Sequence, residues 1–327
     1  MNRDREEFWD AVKGICIIAV ILIHTTSRNS IGGVVWRQFI NFPVAMFVFM
    51  AGYFCHVKGT YSVFIMKKAK RLLIPLAVAS IVYGVVELYF GLRLGGTMTL
   101  CCIGSAFLSF SLGWGYFVLA LFQCMIVAPF LQRYASSRWL LPLSLGLCLT
   151  TSLYMYLAST VFQGSWSLAN SVPVIFCTAW LPFFVLGMKL QKRRLTVWAP
   201  GVRPYLAMVI LMLFAIAGGV YWYKTATVQL ARSQLRVPCI LFSLVLAGLL
   251  PNLADKYDLR ECTWGIVARL GEMSFFVYLW HRFILIFLRS ILPQFAEWHF
   301  ILTIALFALL ARLLPHAWSK RLWWMGM

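Results

Sequence analysis

Apolar residues fill this chain in blocks of roughly twenty, separated by short stretches where basic side chains collect. Blocks of that length span the hydrocarbon layer of a bilayer as helices, and none shows the ten-residue alternation of a transmembrane strand. Ten blocks can be placed, near 11–28, 39–57, 72–91, 114–131, 139–158, 171–188, 204–223, 237–251, 266–292 and 298–316. The block over 237–251 is short, and the one starting at 266 is long with a polar start. The pattern predicts an all-α integral membrane protein, a single transmembrane domain over 1–327 made of about ten helices.

Composition agrees. The chain is 62% hydrophobic and only 12% charged, with a mean hydropathy of +0.82. A soluble domain of this size needs more charge to cover its surface. The opening MNRDREEFWDAVK has mixed charge and no A-x-A-like site follows the first block, so no cleavable signal peptide is expected. The net charge of +19 would suggest nucleic acid in a soluble protein. In a membrane protein it marks cytoplasmic loops beside anionic headgroups, so membrane lipids are the expected partner and nucleic acid is not.

With the N-terminus placed in the cytoplasm, and Arg312 within the last block left aside, twenty lysines and arginines fall on the inner side and eight on the outer side or in outer helix halves. The bias also places the C-terminus inside. It holds only if 92–112 does not cross, which predicts a re-entrant or interfacial element there. The nine cysteines lie mostly within apolar blocks and form no C-x-x-C pair, so they read as small hydrophobes, with no metal site expected.

Ionisable side chains inside a bilayer are costly, so each one marks a candidate functional position. Glu87, His24, His281 and Arg282 lie within predicted spans. Glu272 sits near the inner end of another. Lys13 and His24 are separated by eleven residues, which at about 100° each return to within roughly 20° of the same helix face, about 16 Å apart. Lys13 is therefore expected at the inner mouth of a seam and His24 deep in the bundle, with His281 at comparable depth. A reaction site and a proton-coupled carrier would use the same residue types, and the residues alone leave both open.

The same residues carry a family likeness. The chain resembles the membrane acyltransferase 3 family, bacterial proteins that O-acylate sugars of surface polysaccharides. The basic-x10-His signature is matched by Lys13 and His24, in an opening DAVKG that begins with Asp10. FVFMAGYF (47–54) is similar to the family's F-x-x-S-G-[YF] region, with Ala51 in place of serine. KKAKRLLIP (67–75) resembles its basic loop entering the third span, GWGYFVLAL (113–121) and LPFFVLGMKL (181–190) two further helix signatures, and LGEMSFFVYLWHRFIL (270–285) its G-x-x-S…Y-L-x-H helix. The K-G-I-x-I-I opening is similar to the fucose 4-O-acetylase-like branch.

The resemblance implies a ten-helix bundle with cytoplasmic termini in the bacterial inner membrane, in a form without the C-terminal hydrolase-like domain that many relatives carry. It also implies an acyl-CoA donor, usually acetyl-CoA, and a sugar or lipid-linked glycan acceptor at the outer side. On that basis Lys13, Lys67, Lys68, Lys70 and Arg71 are expected to hold the donor's phosphates. His24 would be the general base or the acyl carrier. Glu87 is the expected partner of a histidine or of Arg282, and Asp10 orients Lys13. Ser274, Tyr278 and His281 share one helix seam and would bind the sugar or polarise the carbonyl. The tail HAWSKRLWWMGM reads as an interfacial anchor. A carrier or flippase for a lipid-linked sugar or small metabolite, and a non-catalytic subunit, are the competing readings. Neither has a particular need for a cation and a histidine at this spacing.

Overall fold

The computed structural model describes residues 3–25, 30–93, 110, 113, 115–161, 173–193, 201–257, 264–314 and 322–327, and every regular element among them is helical. In chain order the helices are α1 (Arg3–Thr25), α2 (Ile31–Phe39), α3 (Pro43–Tyr53), α4 (Tyr61–Arg93), α5 (Tyr116–Tyr134), α6 (Leu140–Val161), α7 (Leu181–Arg193), α8 (Val202–Thr225), α9 (Val228–Arg232), α10 (Val237–Lys256), α11 (Gly265–Glu272), α12 (Ser274–Ile291) and α13 (His299–Leu313). Among the described residues nine segments are long and apolar enough to cross a bilayer, and Leu181–Gln191 is a shorter apolar helix. The ten predicted blocks each have a counterpart. Residues 94–109, 111 and 112, the bulk of the expected re-entrant stretch, lie outside the described residues.

Three blocks differ in form. The second is two helices, broken where Pro43 begins α3, because proline has no amide hydrogen to continue α2 and its ring suits the first helical position. The polar groups of the break are satisfied by side chains. Arg37 Nε donates to Asn41 Oδ1 at 2.7 Å, and Asn41 Nδ2 donates to the Arg232 carbonyl at 3.3 Å. The block at 266–292 is likewise split, at Met273, whose amide turns back to the Arg269 carbonyl at 3.3 Å. The third block starts earlier than predicted. KKAKR, expected as a loop, is the early part of α4, so its side chains have a helical phase.

Lipid is as apolar as the helix surfaces, so packing and polar contacts, rather than exclusion of water, hold such a bundle together. α1 packs most extensively on α11. At their crossing a Cβ on Gly271 would fall 1.7 Å from the Asp10 carbonyl oxygen, and one on Gly14 2.0 Å from that of Val267. Only glycine allows backbones this close. The contact fixes the height of α1 against α12, which follows α11 after one residue.

Towards the opposite end, Arg236 is 6% exposed and ties α2 to α8 and α10. Its Nη1 donates to the Ala215 carbonyl at 2.9 Å, and its Nη2 donates to Gln38 Oε1. The charge pattern counts Arg236 only among the eight outer cations; long-range packing makes it a structural one. By contrast α8 turns Leu206, Val209, Leu213 and Phe214 outward, each more than half exposed, as a lipid-facing helix should.

Candidate active site

α1 carries two of the candidate groups, Lys13 near its middle and His24 near its C-terminal end. Lys13 Nζ lies 2.7 Å from Asp10 Oδ1 and 6.0 Å from the centroid of Phe54. The i, i+3 spacing allows this pair on one helix face, and it aims the ammonium. Lys13 lines a cavity of about 480 Å³ at this end of the bundle. Lys68 and Arg71 of α4 line it too, again three residues apart, with Glu272 on the facing rim. Glu272 is paired with Arg269 at 2.8 Å. Ser274 and Tyr278 lie further in, on the face of α12 turned to the cavity. The remaining walls are apolar, among them Phe47, Met50, Ala51, Phe117, Leu121 and Met125.

Helical phase divides the basic cluster that sequence treats as one. Lys67 and Lys70 are exposed and do not line the cavity, so of the four basic residues of 67–71 the structure brings Lys68 and Arg71 to it. At 100° per residue, positions i and i+3 share a face while i−1 and i+2 point away.

The two histidines come together. The rings of His24 and His281 have centroids 5.2 Å apart and planes at 32°. His281 is 3% exposed. Its Nδ1 donates to the carbonyls of Tyr278 at 2.8 Å and Val277 at 3.1 Å. Carbonyl oxygens only accept, so Nδ1 carries the proton and Nε2 is left with its lone pair. That Nε2 is buried without a hydrogen-bond partner among the described residues.

His24 is not as deep as its spacing from Lys13 suggests. It is the residue before the last of α1 and is half-buried. Two arginines cap that helix end: Arg289 Nη2 donates to the His24 carbonyl at 3.0 Å, and Arg37 Nη1 to the Ile23 carbonyl at 3.3 Å. Both bring positive charge to the C-terminal part of the helix, where it complements the negative end of the dipole.

Neither histidine lines the cavity. Tyr278 connects the two places: it lines the cavity, and its ring centroid is 6.2 Å from that of His281 and 5.3 Å from that of Phe117. The seam expected from the sequence is thus two places, a basic-mouthed cavity and an imidazole pair, that adjoin at Tyr278. Arg282 is half-buried on the position following His281. The side chain of Glu87 lies outside the described residues. Among the described residues no group of three or more His, Cys, Asp or Glu side chains is placed to hold a metal.

Sequence reasoning missed the tail. Trp323, Gly326 and Met327 line the cavity, so the described part of HAWSKRLWWMGM, expected only as an interfacial anchor, also packs against the bundle. Gly326 has φ +97°, a left-handed turn that brings the chain against α12.

A search among curated proteins and one among solved structures each find no match. The family model described as an acyltransferase domain, Acyl_transf_3, matches residues 6–315. That match takes in Lys13, the cavity helices and both histidines. The chain belongs to the acyltransferase 3 family and is a multi-pass membrane acyltransferase.

Proposed function

We propose that the protein moves an acyl group, acetyl in the simplest case, from acyl-CoA on the cytoplasmic side of a bacterial inner membrane to a sugar hydroxyl of a surface polysaccharide, glycolipid or lipid-linked precursor. One observation carries the reading: a cation-rimmed cavity and an imidazole pair lie at different heights on the same helix, joined at Tyr278. A donor with phosphates at one end and a thioester at the end of a long arm fits that separation. Lys13, Lys68 and Arg71 hold the phosphates by charge-assisted hydrogen bonds. Asp10 keeps Lys13 turned to the mouth. The apolar walls receive the pantetheine arm, and Tyr278 with Ser274 orients the thioester carbonyl.

His24, half-buried at the outer end of α1, meets the acceptor. It takes the hydroxyl proton as the oxygen attacks the thioester carbonyl carbon. The carbon–sulfur bond then breaks, the ester forms, and the imidazolium returns the proton to the CoA thiolate. His281, with Nδ1 held protonated by main-chain carbonyls, offers its Nε2 lone pair beside the imidazolium and stabilises it. The alternative order, in which His24 first carries the acyl group, uses the same atoms and is separated by rapid quenching and a search for acyl-His24.

The test is thiol release from acetyl-CoA by purified protein, together with the O-acetyl NMR signal of the surface polysaccharide in a deletion strain. Thiol release in the presence of acceptor, lost by about 10²–10⁴-fold in His24→Ala, is expected. Absence of both CoA binding and thiol release, or an unchanged O-acetyl signal in the deletion strain, rejects the reading.

A further inference from the structure

The tail has no part in the chemistry above, yet it forms one wall of the cavity. The turn Trp323–Met325 packs on α4, the helix that brings Lys68 and Arg71 to the same space. The segment is tied down. Trp280 Nε1 donates to the Met325 carbonyl at 3.0 Å, and a Cβ on Gly326 would lie 3.1 Å from Leu279 and 3.2 Å from Phe275. Despite this anchoring, the Trp323 side chain is 43% exposed while lining the cavity. The indole of Trp9, at 1%, shows how completely this bundle buries a ring when burial is its role.

A fixed, part-exposed indole beside three cations matches the two needs of a purine nucleotide. The base needs a flat π surface and the phosphates need positive charge. We propose that Trp323 is the platform on which the adenine ring of the acyl-CoA donor stacks, while Lys13, Lys68 and Arg71 take its phosphates. The assignment rests on the acyl-CoA reading above and adds the residue that recognises the base. Trp324, 40% exposed, does not line the cavity and serves as the neighbouring control.

Binding to the purified full chain is measured by calorimetry with two probes, coenzyme A and 4′-phosphopantetheine, which lacks the 3′-phospho-AMP part that carries the base. Trp323→Ala is expected to weaken coenzyme A about tenfold, the loss of one base–aromatic stack, and to leave 4′-phosphopantetheine unchanged. Trp323→Phe, which keeps a π face, stays within about threefold of the wild type, and Trp324→Ala binds as the wild type does. KM for acetyl-CoA follows the binding loss while kcat is retained. Equal losses for both probes would make Trp323 a mere wall and overturn the assignment, as would no loss at all. Should Trp323→Ala fail to fold, Trp323→Leu, apolar but without a π face, gives the same comparison. If the wild-type protein binds neither probe, the acyl-CoA reading itself falls and takes this one with it.

Discussion

Replacing Gly271 by alanine tests the height of α1 and everything mounted on it. The added methyl would sit 1.7 Å from the Asp10 carbonyl oxygen and 2.6 Å from its carbon. Ordinary contact begins near 3.4 Å, so the two helices must separate by about 1.5–2 Å. Both obstructing atoms are main chain, and no rotamer change relieves them. Overpacking of this kind costs about 1–3 kcal/mol. The displacement also reaches the site, because Asp10 holds Lys13 at 2.7 Å and α1 carries His24. Misplacing reacting groups by about 1 Å costs on the order of 10²-fold in rate. Gly271→Ala is therefore expected to lower the thermal unfolding midpoint in detergent, followed by intrinsic fluorescence, and to cut thiol release from acetyl-CoA by roughly 100-fold. Gly146→Ala is the matched control: its Cβ would meet open space on a lipid-facing part of α6, and it should stabilise by about 0.5–1 kcal/mol. A Gly271→Ala protein with wild-type midpoint and wild-type rate would refute the close crossing of α1 and α11.

Other outcomes follow from the same geometry. Lys68→Gln and Arg71→Gln should each raise KM for acetyl-CoA roughly tenfold, while Lys67→Gln and Lys70→Gln stay within about twofold, in steady-state assays at fixed salt. Arg236→Ala should destabilise the bundle by about 1–3 kcal/mol, read as a lowered unfolding midpoint, because it removes a buried donor from the Ala215 carbonyl and from Gln38 Oε1, which keeps the longer bond from Asn41 Nδ2 at 3.3 Å.

Helix phase within one element is legible without a structure. The placement of Lys13 and His24 on one face of α1, the pairing of Lys13 with Asp10 and the run of apolar blocks all follow from 3.6 residues per turn and the thickness of a bilayer. The same arithmetic applies to KKAKR once its helical state is known, but the sequence presents that stretch as a loop. Its charge masks the start of α4, so Lys67 and Lys70 could not be separated from Lys68 and Arg71. The breaks before Pro43 and after Glu272 had local signals in a proline and a polar residue, although their effect on direction did not.

What the sequence determined alone is therefore the class, an all-helical membrane bundle of about ten apolar segments, and the vertical separation of a cation from an imidazole along α1. Tertiary structure alone decided that His24 meets His281 at 5.2 Å, that Tyr278 stands between them and the cavity, and that the tail returns to line it. The reason is physical. Periodicity and hydropathy act over neighbouring turns and leave a pattern in the sequence. The approach of α1 to α12 depends on two glycines 257 residues apart meeting the backbone of the opposite helix, a contact that no local pattern encodes.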